Sequence, residues 1–130
     1  MFVGERMSHP VISVSPETPI HDALVMFKKE HIRRAPVIKD GKLVGIVSEG
    51  DLLNASPSPV TSLSIWEMNY LLSKVTVKQV MSKKVKTIDE NTPIEEAARI
   101  MADSKFGGVP ITRSGKVVGI ITETDLFKIF

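Results

Sequence analysis

The sequence contains no cysteine, and this absence removes several kinds of chemistry at once. With none among its 130 residues, the chain can form no disulfide framework, no thiolate metal site and no thiol nucleophile. Aromatic residues are also scarce, at 5%, with a single Trp and a single Tyr. The 42% of hydrophobic residues must therefore build a mainly aliphatic core, in a chain the size of one ordinary domain.

The sequence also lacks a dominant charge and a long apolar segment. Seventeen basic residues stand against fifteen acidic ones, and this balance does not favour nucleic acid or an anionic membrane as a partner. No apolar stretch approaches the roughly 18 residues that a membrane span needs, and the first ten residues lack the apolar run of a signal peptide. We therefore expect a soluble, cytoplasmic protein.

Motifs for metal binding and catalysis are missing as well. The three histidines, His9, His21 and His31, have no second ligand at metal spacing. There is no phosphate-binding glycine loop, no nucleophile elbow and no dinucleotide fingerprint. We expect no metal and no enzymatic activity.

The sequence does contain an internal repeat. Residues 7–53 recur without a gap as residues 81–127. Because one small unit cannot bury its own apolar face, the two copies are expected to pack against each other. We divide the chain into repeat 1 at residues 1–54, a linker at residues 55–76 and repeat 2 at residues 77–130.

Each copy predicts the same order of elements, β-α-β-β-α, and hence an α+β fold. The short opening strands are Val11–Val14 and Val85–Ile88. Thr18 and Thr92 are predicted to cap the following helices, with Pro19 and Pro93 as first helical residues and Glu95 completing a capping box. Two hairpins follow, Ala35–Ile38 with Lys42–Val47 and Val109–Thr112 with Lys116–Ile121, through Asp40-Gly41 and Ser114-Gly115. A short helix then begins at Ser48 or Thr122.

The linker is predicted to contain a helix of its own. Ser64 and Glu67 have capping-box spacing, and the apolar residues Leu63, Trp66, Leu71 and Leu72 accompany them. Trp66 and Tyr70 are four residues apart and can share one helical face. We favour the interpretation that they pack over the domain, and keep partner docking as the alternative.

The most specific motif is the end of each repeat. Gly-Ile-Val-Ser-Glu-Gly-Asp at residues 45–51 and Gly-Ile-Ile-Thr-Glu-Thr-Asp at residues 119–125 closely resemble the signature of cystathionine-β-synthase (CBS) domains. The opening Met-Ser, the Thr-Pro-Ile helix start and the Gly-Lys turn of each copy fit as well. The linker is similar, more weakly, to that of CBS proteins of the acetoin-utilisation type.

This resemblance implies a fold and a function. A tandem CBS pair, or Bateman module, packs its two repeats sheet to sheet with pseudo-two-fold symmetry and helices outside. Such modules are regulatory and bind AMP, ADP, ATP or S-adenosylmethionine in clefts between the repeats. They form a flat homodimer, and ligand binding acts on a partner, here an unidentified enzyme. The alternative is a structural dimerisation module with no physiological ligand.

Four side chains of the signature have the chemistry for a nucleoside. The carboxylates of Asp51 and Asp125 can accept hydrogen bonds from ribose hydroxyls. Ser48 and Thr122 offer hydroxyls at helix starts, where main-chain N–H groups favour a phosphate. The same spacing is also a helix cap that needs no ligand, and both roles can coexist.

The two copies differ in positive charge. Arg33 and Arg34 precede Pro36, whereas Gly107 and Gly108 precede Pro110. The resemblance places the residue two before this proline at ligand phosphates, so Arg34 is the first candidate and Arg33 the second. We expect the two sites to be non-equivalent. The resemblance also assigns an adenine slot to Ile12, Ala35 and Ile46 in the first copy, and to Lys86, Val109 and Ile120 in the second.

Overall fold

The computed structural model describes residues 1–55, 64, 66–67, 70 and 74–129, and its fold is α+β, as expected. A 3₁₀ turn at Val3–Glu5 comes first. The elements that follow are α1 (Ile20–Glu30), β1 (Arg34–Lys39), β2 (Lys42–Ser48), α2 (Glu49–Asn54), α3 (Val77–Val80), β3 (Ile88–Asp89), α4 (Ile94–Ser104), β4 (Gly108–Arg113), β5 (Lys116–Thr122) and α5 (Glu123–Phe127). None of the helices in the described part of the chain has the length and apolar character of a membrane span.

The chain divides into two compact units that do not coincide with the sequence repeats. The first-repeat unit is Ser13–Lys84, and the second-repeat unit combines Met1–Ile12 with Val85–Phe130. Each unit therefore contains one hairpin with its helices, completed by a segment from outside that copy of the repeat. These two segments, residues 75–84 in the first-repeat unit and residues 1–12 in the second-repeat unit, are here called the crossing segments. Each unit has its own hydrophobic core.

The hairpin of the first-repeat unit is formed as predicted. β1 and β2 pair antiparallel, with Arg34 opposite Ser48 and Lys39 opposite Lys42. Asp40 and Gly41 both have positive φ angles, 51° and 77°. Two consecutive left-handed residues match the twist of the flanking strands, which explains Gly at the second position.

The second-repeat unit has a three-stranded sheet in the order β3-β4-β5. Its hairpin repeats the first one, with Ser114 and Gly115 at φ angles of 51° and 81°. β3 adds a parallel strand, in which Ile88 faces Ile111. The hairpin prediction is confirmed in both copies.

The opening strands are shorter than predicted. Val11–Val14 provides only a single parallel bridge, between Val14 and Val37, and the other strand covers Ile88–Asp89 instead of Val85–Ile88. Val14 donates to the carbonyl of Pro36 and accepts from the N–H of Ile38. One step earlier, a parallel strand would need the N–H of Pro36, and proline has none. Pro110 limits the second copy in the same way.

The prediction of local caps on the two long helices is wrong. α1 begins at Ile20, because Pro19 is extended, and Thr18 makes no side-chain cap. The Ile20 N–H is instead bound by the carbonyl of Val75, at 3.0 Å. In the second copy Ile94 donates to the carbonyl of Met1, also at 3.0 Å, and Thr92 and Glu95 form no capping box. Crossing segments satisfy donors that the sequence alone assigns to the threonines.

Each of the two long helices buries one face against the hairpin of its own unit. Ile20, Ala23 and Phe27 of α1 are buried against the first hairpin. Ile94, Ala97 and Met101 do the same from α4. The spacing of three and four residues puts each set on one face of its helix.

The linker is described at only a few positions. Ser64 accepts a hydrogen bond from the Glu67 N–H at 3.2 Å and donates to Glu67 Oε1 at 3.1 Å, so the predicted capping contact is present. Trp66 and Tyr70 are 80% and 61% exposed, which contradicts the prediction that they pack over the domain. Leu63, Leu71 and Leu72 lie outside the described residues.

Candidate functional site

The signature of the first copy forms a tight turn at the end of β2. The Ser48 N–H donates to Asp51 Oδ2 at 2.9 Å, and the Asp51 N–H donates to Ser48 Oγ at 3.1 Å. These reciprocal bonds make a capping box that starts α2 at Glu49. Both side chains are half-buried, so the pair has a fixed geometry at the surface.

The second copy repeats this turn. The Thr122 N–H donates to Asp125 Oδ2 at 2.9 Å, and the Asp125 N–H reaches Thr122 Oγ1 at 3.4 Å. The Thr122 hydroxyl also donates to Asp125 Oδ2, at 3.1 Å. The cap interpretation of the signature is therefore confirmed in both copies.

Capping uses only part of each carboxylate. In Asp51 and Asp125 the capping bonds all end on Oδ2, and no described residue donates to Oδ1. An ionised carboxylate has about four acceptor positions, so one oxygen stays available for hydroxyl donors. A ribose diol fits this chemistry, and binding it would leave the cap intact.

Main-chain groups of the signature are largely engaged already. The Glu49 N–H donates to the carbonyl of Arg33 at 2.8 Å, and the Glu123 N–H donates to the carbonyl of Gly107 at 3.1 Å. α2 and α5 are also only six and five residues long. The predicted phosphate site at these helix starts therefore has few free N–H donors. Binding of an anion here depends on a cationic side chain.

At the strand position opposite the signature hydroxyl, the first copy has such a side chain and the second has none. Arg34 lies directly opposite Ser48 in the β1–β2 ladder and is half-buried, while Arg33 is exposed. Neither guanidinium forms a hydrogen bond or an ion pair with the described part of the chain. In the second copy the position opposite Thr122 is Gly108, which is buried. The predicted difference in charge between the two copies thus lies beside the signature turn.

The six predicted adenine contacts lie in different surroundings. Ala35 and Val109 are buried, as is Ile120, while Ile46 is half-buried. Ile46 exchanges both main-chain hydrogen bonds with Ser82, and Ile120 does so with Ser8. These two residues can therefore contact a ligand only through their side chains. Lys86 is exposed and Ile12 half-buried, and both belong to the second-repeat unit, whereas Ala35 and Ile46 belong to the first.

A contact beside the signature was not foreseen from the sequence. Met81 Sδ lies over Gly45 of β2, and Met7 Sδ lies over Gly119 of β5. The recurrence of Met-Ser and of the signature Gly was visible as a repeat. The packing of each methionine on the glycine of the other repeat depends on the path of the crossing segments in the folded chain.

Surface ion pairs tie each hairpin to the loop before its helix. Lys39 Nζ donates to Glu17 Oε1 at 2.9 Å. This bond, with a second from the Ser15 hydroxyl, lowers the pKa of Glu17 to about 2. In the second copy Arg113 binds Glu90 with two bonds of 2.7 and 2.9 Å and lowers the pKa of that carboxyl. These four residues stabilise the scaffold and do not belong to the signature turns.

Among the described residues, no group of three or more His, Asp or Glu side chains could hold a metal ion.

The sequence model of the CBS domain family matches residues 3–58 and 77–130, which include both signature turns. The chain belongs to the CBS domain family. The two CBS matches cover most of the chain and correspond to the two repeats.

Curated relatives include CBS proteins and an enzyme. A CBS domain-containing protein of Dictyostelium discoideum is 29% identical over 99% of this chain and 90% of its own length. Inosine-5′-monophosphate dehydrogenase of Thermoplasma acidophilum is 34% identical over 89% of this chain, but over only 21% of the enzyme. In that enzyme the CBS-like part is thus a minor fraction of the whole.

Solved structures with the same fold include two ligand complexes. The CBS domain pair of protein MJ0100, in complex with 5′-methylthioadenosine and S-adenosyl-L-methionine, has a TM-score of 0.82 and 28% identity, covering 100% of this chain and 95% of that one. CBSX2 of Arabidopsis thaliana in complex with AMP has a TM-score of 0.78 and 32% identity, covering 98% and 94%. A putative acetoin utilization protein of Vibrio cholerae has a TM-score of 0.79 and 27% identity, covering 99% and 89%.

Proposed function

We propose that this CBS pair is a cytoplasmic regulatory module that binds adenosine-containing ligands at its two signature turns and changes the activity of a partner, such as an enzyme. The observation that carries the proposal is the spare carboxylate oxygen of Asp51 and Asp125. Each is held in place by a cap that a ribose would not disturb. The ligands of the two similar CBS pairs, AMP and the adenosyl compounds, contain this ribose.

The two turns are proposed to prefer ligands of different charge. Arg34, beside Ser48, can bind a phosphate with its planar guanidinium. Gly108, at the equivalent place beside Thr122, offers no charge. The first turn should therefore favour AMP, ADP or ATP, and the second should accept an uncharged or cationic ligand such as 5′-methylthioadenosine or S-adenosylmethionine.

Isothermal titration with AMP and with adenosine tests both parts of the proposal. Arg34→Gly gives the first turn the residue of the second, and we expect it to weaken AMP binding about 10-fold while changing adenosine binding little, because a charged hydrogen bond is lost. Arg33→Gly is the matched control and should have a smaller effect, since Arg33 is exposed.

A second pair of variants separates binding from capping. Asp51→Asn and Asp125→Asn keep an amide oxygen that can accept the capping N–H but remove the negative charge. We expect each to weaken nucleoside binding at its own turn with a small change in melting temperature. If both variants bind all ligands normally, or if the wild type binds none at millimolar concentration, the structural dimerisation module is the better interpretation.

A further inference from the structure

The nearly balanced charge of the chain is divided unevenly between its two units. The first-repeat unit has ten basic and seven acidic residues, hence a formal charge of +3. The second-repeat unit has seven basic and eight acidic residues, hence a formal charge of −1. The balance over the whole sequence therefore hides a cationic unit, and the total charge alone does not exclude an anionic partner for that unit.

One short stretch contains four of the ten basic residues of the first-repeat unit. The sequence has no acidic residue from position 68 to position 88. The lysines of this unit that lie in that interval are all exposed, and they are Lys74, Lys78, Lys83 and Lys84. We call these four residues the lysine stretch. None of them forms an ion pair with the described part of the chain. The crossing segment of the other unit, residues 1–12, has one Glu and one Arg and no such excess of charge.

The backbone of the lysine stretch is held against the core of its own unit. The Lys78 N–H donates to the carbonyl of Pro16 at 2.9 Å. Ser82, which directly precedes the last two lysines, exchanges two hydrogen bonds with Ile46 of β2. Val77, next to Lys78, is fully buried. The exposed lysine side chains are therefore attached to a fixed backbone.

Two exposed aromatic side chains precede the lysine stretch in the same unit. Trp66 is 80% exposed and Tyr70 is 61% exposed. Both positions are helical, as is Lys74, and the three follow each other at intervals of four, the spacing of neighbours on one helical face. Lys74 Nζ lies 5.1 Å from the centroid of the Tyr70 ring, so basic and aromatic side chains are adjacent. Large aromatic side chains in solvent beside lysines indicate a surface that binds a partner.

We propose that Trp66, Tyr70 and the lysine stretch form a surface that binds the anionic headgroups of a lipid membrane. The negative potential of such a membrane attracts lysines that come close to it. Trp and Tyr favour the membrane–water interface, because each has an apolar ring and a polar group. The binding is peripheral, involves side chains of the first-repeat unit and requires no nucleotide.

A single-stranded nucleic acid is the competing anionic partner, and two observations disfavour it. Recognition of nucleic-acid phosphates favours arginine, with its planar guanidinium, whereas every basic residue of this stretch is a lysine. Bases also stack on open aromatic faces, and Lys74 already lies over one face of the Tyr70 ring. A lipid surface makes neither demand, since it attracts lysines as point charges.

The fluorescence of Trp66 tests the proposal directly, because the chain has no other Trp. The full chain is mixed with vesicles of phosphatidylcholine alone, or of phosphatidylcholine with about one part in three of phosphatidylserine. We expect flotation with the vesicles, and a shift of the Trp66 emission to shorter wavelength, only when phosphatidylserine is present. Both effects should weaken strongly in about 1 M salt, which screens the lysines. Absence of flotation, or flotation without the Trp66 shift, would overturn the proposal.

Charge-matched double variants test which lysines are responsible. Lys83→Gln with Lys84→Gln removes half of the lysine stretch, and each missing lysine should weaken binding to the anionic vesicles about 5-fold. Lys105→Gln with Lys116→Gln is the matched control, because it removes two exposed lysines of the second-repeat unit and changes the net charge equally. The control should bind nearly as the wild type does, and melting temperatures establish that both variants fold. Equal losses in the two variants would show that only net charge matters and would overturn the proposal.

A third variant and a second probe complete the test. Trp66→Ala should weaken vesicle binding and leave the melting temperature unchanged, because the side chain is mostly exposed. Vesicle binding that is unaffected by Trp66→Ala would overturn the proposal, since Trp66 is part of the proposed surface. A single-stranded oligothymidine is the probe for the competing partner. If it binds more tightly than the anionic vesicles and loses affinity in the variant without Lys83 and Lys84, the surface binds nucleic acid and the lipid proposal is wrong.

Discussion

At the scale of single residues, Gly45 of β2 and Gly119 of β5 determine how closely a crossing segment can approach the strand. A β-carbon on Gly45 would lie 2.7 Å from Met81 Sδ and 2.8 Å from the carbonyl oxygen of Ser82. The methionine could move, but the carbonyl is bound to the Ile46 N–H and is fixed. Only glycine fits at this position.

We expect Gly45→Ala to lower the free energy of unfolding by about 1–3 kcal/mol, because the crossing segment must shift to admit a methyl group. Gly119→Ala should behave alike, since its β-carbon would lie 2.8 Å from the carbonyl oxygen of Ser8. Gly50→Ala is the control: its nearest neighbour is Ser48 Oγ at 3.7 Å, and alanine should be neutral or stabilising. Urea unfolding measures all three. Equal losses at Gly45 and Gly50 would contradict the argument.

At the scale of elements, each hairpin is joined to the loop before its helix by one ion pair. The Lys39–Glu17 pair lies on the surface, with both side chains more than half exposed. Its contribution to stability is therefore small and sensitive to salt. The pair joins the loop before α1 to the first hairpin.

The pH dependence of this pair has a definite sign. The pKa of Glu17 is lowered from 4.5 to about 2 in the folded state, so its contribution is fully present above pH 4.5 and is lost as the pH falls toward 2. Glu17→Gln should lower the melting temperature slightly at pH 6 and have little effect at pH 2 and below. In 1 M salt the difference at pH 6 should shrink. Glu30→Gln, which removes a carboxylate without a described ion-pair partner, is the control. A Glu17→Gln effect that is independent of pH would contradict the assignment.

At the scale of the whole molecule, the two repeats exchange their opening segments. Met1–Ile12 belongs to the second-repeat unit, where Val3 is fully buried and donates to the carbonyl of Thr92. Ser8 adds two hydrogen bonds to Ile120. A segment at one end of the chain therefore completes a core formed at the other end.

Deleting residues 1–8 should unfold or loosen the second-repeat unit preferentially. The deletion removes Val3 and Met7 from its core and leaves Ile94 without its cap, a loss above about 3 kcal/mol. Amide hydrogen exchange should show lost protection in residues 85–129 and retained protection in residues 13–55. Val3→Ala is the matched milder variant and should give the same pattern with a smaller loss. Equal loss in both units would contradict the division of the chain.

The sequence by itself determined the repeat and the family, which are read directly from the residues. It also determined the hairpins and the signature caps, because these depend on contacts between near neighbours in the chain. Asp40-Gly41 and Ser114-Gly115 require particular backbone angles, and Ser48 and Asp51 bind each other within one turn. Local chemistry is sufficient to predict such features. The unequal charge beside the two signature turns was predicted in the same way.

Only the tertiary structure decided where the crossing segments lie. They determine which carbonyl caps α1, why Gly45 must be glycine and which unit Ile12 belongs to. These contacts join residues more than thirty positions apart, and no local pattern specifies them. The same holds for the apolar groove lined by Ala98, Ala102 and Leu126 between α4 and α5, because small side chains leave a depression only once the helices are packed.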